Sequence, residues 1–80
     1  MPSYVLHHEH QPHECGAAFA AFRGFRSPLR HRTTLASCGS SGHSIWWTVD
    51  APREEDALAL LPYFVATRTT ATAVTEVEIP

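Results

Sequence analysis

The pattern of apolar and polar residues divides the chain into four strand-like and two helix-like segments. Residues that are β-branched, aromatic or alternating in polarity predict strands over residues 3–10, 33–39, 43–50 and 70–79. Apolar residues at helical spacing predict helices over residues 12–25 and 53–66. The predicted order along the chain is therefore strand, helix, strand, strand, helix, strand.

Both predicted helices have one apolar face. In the first helix, Cys15, Phe19 and Phe22 are spaced at i, i+4 and i+7, so we expect them to face the sheet. In the second helix, Pro62 deletes one helical hydrogen bond and disfavours helical geometry at Leu61. We therefore expect the second helix to be kinked or shortened.

This order of elements is the split βαβ pattern of ferredoxin-like domains, an α+β fold. Right-handed connections place both helices on one face of a four-stranded antiparallel sheet. A chain of 80 residues forms one domain, so we assign residues 1–80 to it. Trp46 and Trp47 must point to opposite faces, and an exposed tryptophan on the open face calls for a partner. Homodimerisation through the sheet face is the simplest way to cover it.

Charge and composition exclude several classes of protein. The net charge is −2, with six arginines and no lysine, which argues against nucleic acid or an anionic membrane as a partner. The arginine-rich loop at residues 23–32 is instead expected to be solvated and to pair with acidic residues 54–56. No apolar run approaches the roughly 18 residues of a membrane span, and the start lacks signal-peptide features, so we expect a cytoplasmic protein. Two cysteines do not make a disulfide framework.

The stretch YVLHHEHQPHEC, residues 4–15, contains four histidines, two glutamates and one cysteine. On a strand, His8 and His10 share one face about 6.6 Å apart, from which two imidazoles can bind one ion. Cys15 lies in the first turn of the predicted helix, where the helix N-terminus favours a thiolate. Neutral imidazole and thiolate bind zinc, copper or nickel better than calcium or magnesium.

The histidine-rich strand end and the cysteines therefore predict a transition-metal site, with zinc preferred and copper or nickel as alternatives. The candidate ligands, with the first choices first, are His8, His10, His13, Cys15, Cys38 and His43. Three protein ligands would leave a position for water or substrate, whereas four would make the ion structural, stored or delivered. The pattern does not decide which face of the sheet carries His8 and His10.

Other interpretations of these residues stay open at this stage. The histidine tract is also compatible with a solvated strand end, with Cys15 filling the core. Cys15 and Cys38 are candidates for a redox pair, although they lack the short spacing of a redox motif. The His8-x-His10 pattern also begins the cupin metal motif, but a cupin needs more strands than this chain predicts.

Three segments carry a family resemblance: YVLHHEH at residues 4–10, IWWTVDAPREEDALALL at residues 45–61 and ATAVTEVEIP at residues 71–80. With them, the chain resembles a family of small bacterial ferredoxin-like domains of unknown function, one branch of which is described as nickel-binding and dimeric. The resemblance implies a dimer through the sheet face and ligands near the end of the first strand. The dense histidines and the two cysteines depart from that family and shift the expected metal towards zinc or copper.

The same architecture is similar to dimeric α+β barrel proteins, including small monooxygenases. The alternative function is therefore a small dimeric α+β barrel enzyme, monooxygenase- or isomerase-like. It predicts a pocket between helices and sheet, lined by Phe19, Trp46 or Trp47, and Tyr63, with a histidine as acid or base. The sequence does not assign a catalytic residue.

Overall fold

The sheet of the protein has four antiparallel strands, with β3 and β1 at its centre. A computed structural model describes residues 1–38 and 42–80. The strands are β1 (Ser3–Glu9), β2 (Leu35–Ala36), β3 (Ser44–Asp50) and β4 (Thr69–Val74), in the order β2-β3-β1-β4. The helical segments are a 3₁₀ turn (Pro12–Glu14), α1 (Cys15–Ala20), α2 (Glu54–Leu58) and α3 (Tyr63–Ala66). The described residues confirm the predicted α+β class and its four-stranded antiparallel sheet.

The central strand β1 buries one of its two faces completely. Tyr4, Leu6 and His8 alternate with less buried neighbours, and Leu6 and His8 have no exposed surface. His10 continues the same face beyond the strand and is also buried. Since alternate residues on a strand share a face, His8 and His10 point into the core with Leu6 rather than towards the open side of the sheet.

The first helix is shorter than predicted and turns a different face inward. After the 3₁₀ turn, α1 ends at Ala20, and Gly24 then adopts the left-handed conformation at φ 74°. Ala18 is buried, whereas Phe19 is 51% exposed, so the expectation that Phe19 faces the sheet is wrong. A 3₁₀ turn has about three residues per turn, which shifts the phase of the residues that follow it.

The second predicted helix is shortened, as expected, and a further short helix follows Pro62. α2 ends at Leu58, and Pro62 takes an extended backbone conformation before α3 begins. The two short helices still bury Leu61 and Val65 against the core. The break therefore leaves an apolar face intact and brings the Val65 carbonyl close to β1.

The edge strand β2 is much shorter than its prediction. Leu35 pairs with Trp46 and Ala36 with Ile45, and both β2 residues are exposed. With little apolar burial, the strand covers only two residues of the predicted range 33–39 among the residues that the structure describes. The predicted turn at residues 40–42 and the end of that strand fall largely on residues 39–41, outside the described residues.

The open face of the sheet carries two sizeable apolar side chains. Trp46 is 37% exposed and stacks on the His7 ring, with 5.2 Å between ring centroids. Leu35, beside Trp46 on the edge strand, is 73% exposed. Homodimerisation through this face stays a prediction. Among the described residues, none of the helices has the length and apolar character needed to cross a membrane.

The burial pattern of β1 predicts unequal effects of two neighbouring truncations. Leu6→Ala should lower the free energy of unfolding by about 2–5 kcal/mol, because it opens a cavity in the core. Val5→Ala, on the opposite and half-buried face, is the matched control and should cost less. Urea denaturation of both variants measures the difference. Equal losses would contradict the assigned orientation of β1.

Candidate metal centre

Four different elements bring four metal-ligand side chains to one place. His10 directly follows β1, and His43 directly precedes β3. Cys15 is the first residue of α1, and Cys38 lies two residues beyond β2. The ligand atoms of these four residues all lie within 4.8 Å of one another. We call this set the His2Cys2 cluster.

Backbone pairing explains why the two histidines of the cluster meet. β1 and β3 are antiparallel, so the end of β1 lies beside the start of β3, where Glu9 is opposite Ser44. One step further, the His10 N–H donates to the His43 carbonyl at 3.0 Å. The two imidazoles therefore start from a fixed backbone position.

Two hydrogen bonds between Ser37 and Ser44 hold the segment after β2 against the start of β3. The Ser37 N–H donates to the Ser44 carbonyl at 2.8 Å, and the Ser44 N–H donates to the Ser37 hydroxyl at 3.0 Å. Cys38 and His43 follow and precede these two serines in the chain. The serine pair therefore places Cys38 next to His43 at the end of the β2–β3 connection.

Three distances between ligand atoms of the cluster are close to those expected around a single metal ion. His10 Nε2 lies 3.3 Å from Cys15 Sγ and 3.4 Å from Cys38 Sγ. Cys15 Sγ lies 3.2 Å from His43 Nδ1. A tetrahedral zinc ion, with bonds of about 2.3 Å to sulfur and about 2.0 Å to nitrogen, separates its ligand atoms by roughly 3.3–3.8 Å. The cluster is therefore close enough to hold a transition-metal ion, and the His2Cys2 composition fits zinc.

A chain of hydrogen bonds runs from the core to the cluster through His8. His8 Nδ1 lies 3.2 Å from the Val65 carbonyl and 3.3 Å from the Thr69 hydroxyl. The Thr69 hydroxyl donates its own hydrogen to the Val65 carbonyl at 2.6 Å. On its other side, His8 Nε2 lies 2.9 Å from His10 Nδ1. We call this the His8 relay.

The relay fixes which nitrogen of each ring carries a proton. A carbonyl only accepts hydrogen bonds, so His8 must donate from Nδ1 to Val65, and its Nε2 is then the acceptor in the neutral ring. His10 must accordingly donate from Nδ1 to His8 Nε2. This leaves the lone pair of His10 Nε2 directed at the cluster. Such support of a ligand histidine from behind orients the ring and fixes its tautomer.

Burial favours the neutral form of both rings in the relay. Desolvation lowers the pKa of His8, although its hydrogen bond to Val65 acts in the opposite direction. Desolvation also lowers the pKa of His10, and the nearby His43 lowers it further. A neutral imidazole is the form that binds a metal, so the shift of His10 favours coordination, and the shift of His8 favours the neutral ring that the relay needs.

Without a cation, the surroundings of Cys38 do not favour the thiolate form that binds a metal. Cys15 and Cys38 are free thiols, each half-buried. Desolvation raises the pKa of the Cys38 thiol, and the neighbouring Cys15 adds to that rise. A bound divalent cation reverses this effect because it stabilises the thiolate directly.

An ion pair fastens the loop that carries Cys15. Arg68 Nη2 donates to Glu14 Oε2 at 3.1 Å, and the Arg68 guanidinium lies 3.8 Å from the centre of the Phe64 ring. The Gln11 N–H donates to Glu14 Oε1 at 2.9 Å. This backbone donor and then Arg68 lower the pKa of the Glu14 carboxyl. The residue before Cys15 is thereby tied to the segment between α3 and β4.

The structure separates the six predicted ligand residues into three groups. It brings together His10, Cys15, Cys38 and His43. It places His8, a first-choice ligand, behind His10 instead of in the cluster, because its Nε2 is occupied by the His10 ring. It leaves His13 exposed on the 3₁₀ turn. The supporting role of His8 was missed, although the shared face of residues 8 and 10 was the available signal.

The residues predicted for the alternative enzyme pocket are also divided. Phe19 and Trp47 line the same pocket, which includes His31. Trp46 lies on the open face of the sheet, and Tyr63 is 84% exposed. The centre of the Trp47 ring lies 6.4 Å from that of the His8 ring of the relay and 6.1 Å from that of the Phe22 ring of that pocket.

Comparison with known proteins found no match to a protein-family model, a curated protein or a solved structure.

The relay predicts the tautomers of two histidines. In chelator-treated protein, His8 and His10 should both carry the proton on Nδ1, because each donates from that atom. Long-range ¹H–¹⁵N correlation spectra of the imidazoles distinguish the two tautomers. A dominant Nε2–H form of either ring would contradict the assigned direction of the relay. His7, on the opposite face, serves as the comparison ring.

Proposed function

We propose that the protein is a small zinc-binding protein in which His10, Cys15, Cys38 and His43 complete a closed tetrahedral shell. Four protein ligands leave no position for a substrate or a reactive water, and this is the difference between structural and catalytic zinc sites. The proposed role of the ion is therefore to stabilise the fold. The supporting observation is that the four candidate ligands lie in or next to three strands and one helix of the fold.

Each nitrogen ligand of the cluster comes from a well-packed strand, and each sulfur ligand comes from a weakly packed element. His10 and His43 adjoin β1 and β3, which pair along their whole length. Cys15 begins α1, in which Ala18 is the buried residue. Cys38 follows β2, a two-residue strand with both residues exposed.

An ion in this position would connect the weak elements to the strong ones. An 80-residue domain has a modest core, and small domains often gain stability from a bound metal. Because the ligands come together only in the folded chain, the free energy of metal binding adds to the free energy of folding. The cluster thus supplies tertiary contacts where apolar burial is poor.

Zinc suits the donor set better than the alternatives. Two thiolates and two imidazoles in a tetrahedral arrangement are the ligands of structural zinc sites. Nickel(II) and copper(II) prefer square-planar or tetragonal surroundings, and copper(I) prefers a larger share of sulfur. Copper and nickel remain outcomes of the metal analysis below.

We also propose that the strands and helices have a ferredoxin-like arrangement. The order β2-β3-β1-β4 is compatible with two interleaved βαβ units. The short, divided helices differ from the two continuous helices that the pattern predicted. The resemblance to the nickel-binding family and its dimers stays a prediction.

Removing one ligand should remove the ion. Protein purified without an affinity tag should contain one zinc ion per chain, measured by mass spectrometry of the metal content. Cys15→Ala and His43→Ala should lose most of it. His13→Ala is the matched control, because His13 is an exposed histidine next to the cluster in sequence but outside it in space. Protein free of zinc, or an equal loss in His13→Ala, would overturn the proposal.

Chelation should loosen the weak elements selectively. After zinc removal, hydrogen exchange should accelerate in α1 and β2 more than in β1, β3 and β4, because the ion joins the first pair to the sheet. Removal should also lower the melting temperature of the protein. Hydrogen exchange followed by mass spectrometry locates the change. Uniform acceleration, or no change on chelation, would contradict a structural role.

A further inference from the structure

A second candidate site lies away from the metal cluster, where α1, the loop after it and β3 enclose a pocket. Its volume is about 250 Å³. The apolar part of its lining is Phe19, Phe22, Leu29 and Trp47. The Phe22 and Trp47 rings pack at 6.1 Å between centroids, tilted by 48°. Phe19 is 51% exposed at the pocket, an unusual position for a large apolar side chain.

The remaining lining of the pocket is strongly basic. It contains Arg23, Arg30, His31 and Arg32, together with Thr34, and it contains no acidic residue. His31 takes a left-handed backbone conformation at φ 64°, which is uncommon for a residue other than glycine. Arg30 and Arg32, on either side of it, both line the pocket.

The basic residues of the pocket have no acidic partners in the described part of the chain. The ion pairs formed by arginines there belong to Arg53, with Glu55 and Asp56, and to Arg68, with Glu14. The expectation that the loop at residues 23–32 pairs with residues 54–56 is therefore wrong. The acidic side chains near α2 bind Arg53 instead, and they leave the positive charges of the pocket uncompensated.

We propose that this pocket binds a small aromatic carboxylate. The aromatic side chains supply a surface for a flat ring, and the guanidinium groups supply bidentate donors for a carboxylate. The volume is below the roughly 300 Å³ at which pockets for drug-sized ligands begin, so the ligand has one or two rings. A nucleic acid fits less well, because the net charge of the chain is −2.

The pocket and the cluster share no residue, but α1 carries both Cys15 of the cluster and Phe19 of the pocket, so the titrations below use zinc-loaded protein. Trp47 is a natural reporter, since it lines the pocket and is largely buried. The pocket also departs from the predicted enzyme pocket. It includes Phe19 and Trp47 but neither Trp46 nor Tyr63.

Two probes with the same ring system test the proposal: 2-naphthoate, which is an anion, and 2-naphthylmethanol, which is uncharged. Titrations of zinc-loaded protein are followed by ¹H–¹⁵N correlation spectra, with the Trp47 indole N–H as the main signal. 2-Naphthoate should bind at least about tenfold more tightly than the alcohol, because one hydrogen bond to a charged group contributes that much. The shifts should cluster at Phe22, Leu29 and Trp47.

Substitution of the arginines should remove that preference. The Arg30→Gln/Arg32→Gln variant should bind 2-naphthoate about as weakly as 2-naphthylmethanol. Arg53→Gln is the matched control, because it removes the same charge from an exposed site outside the pocket, and it should bind like the wild type. The two arginines lie in the loop after α1, and the dispersion of the ¹H–¹⁵N spectrum checks that the variant is folded.

Three results would overturn the proposal. The first is equal affinity of the wild type for the two probes. The second is an equal loss of affinity in the Arg53→Gln control. The third is displacement of 2-naphthoate by a single-stranded oligonucleotide whose binding falls steeply with salt, which would assign the basic surface to nucleic acid.

Discussion

The antiparallel pairing of β1 and β3 is the constraint on which the candidate metal centre depends. It places the residue after β1 beside the residue before β3, and the backbone hydrogen bond between His10 and His43 at 3.0 Å fixes that juxtaposition. The cysteines approach the same point from α1 and β2, which have little apolar burial of their own. The well-packed strands β1 and β3 thus define the position of the site, and an ion bound there would stabilise the less well-packed α1 and β2.

The support of His10 from behind requires a histidine, His8, in the middle of the core. His8 is fully buried, although an imidazole without hydrogen-bond partners is costly to remove from water. The Val65 carbonyl, Thr69 and His10 satisfy both of its nitrogens. Val65 and Thr69 come from the end of α3 and the start of β4, so the break at Pro62 matters for the candidate metal centre as well as for the helices. A polar chain in the core therefore orients a side chain at the surface.

Periodicity predicts the succession of strands and helices along the chain and the common face of His8 and His10, and the missing N–H group of Pro62 predicts the shortened second helix. Periodicity cannot separate a residue of the His2Cys2 cluster from the residue that supports it, because His10 and His8 lie on the same face two residues apart. The convergence of Cys15 and Cys38 depends on tertiary contacts that no local pattern records. Phe19 shows that a local pattern can also mislead. The 3₁₀ turn before α1 shifts the phase of the helix, so Phe19, which periodicity places in the core, lines a partly exposed pocket.

The coordination shell of the metal tests the central claim most directly. X-ray absorption at the zinc edge, on untagged protein as purified, should show two sulfur neighbours at about 2.3 Å and two nitrogen neighbours at about 2.0 Å. That shell would identify the cluster of two histidines and two cysteines as a closed zinc site. A shell dominated by oxygen, or one without sulfur, would contradict the account.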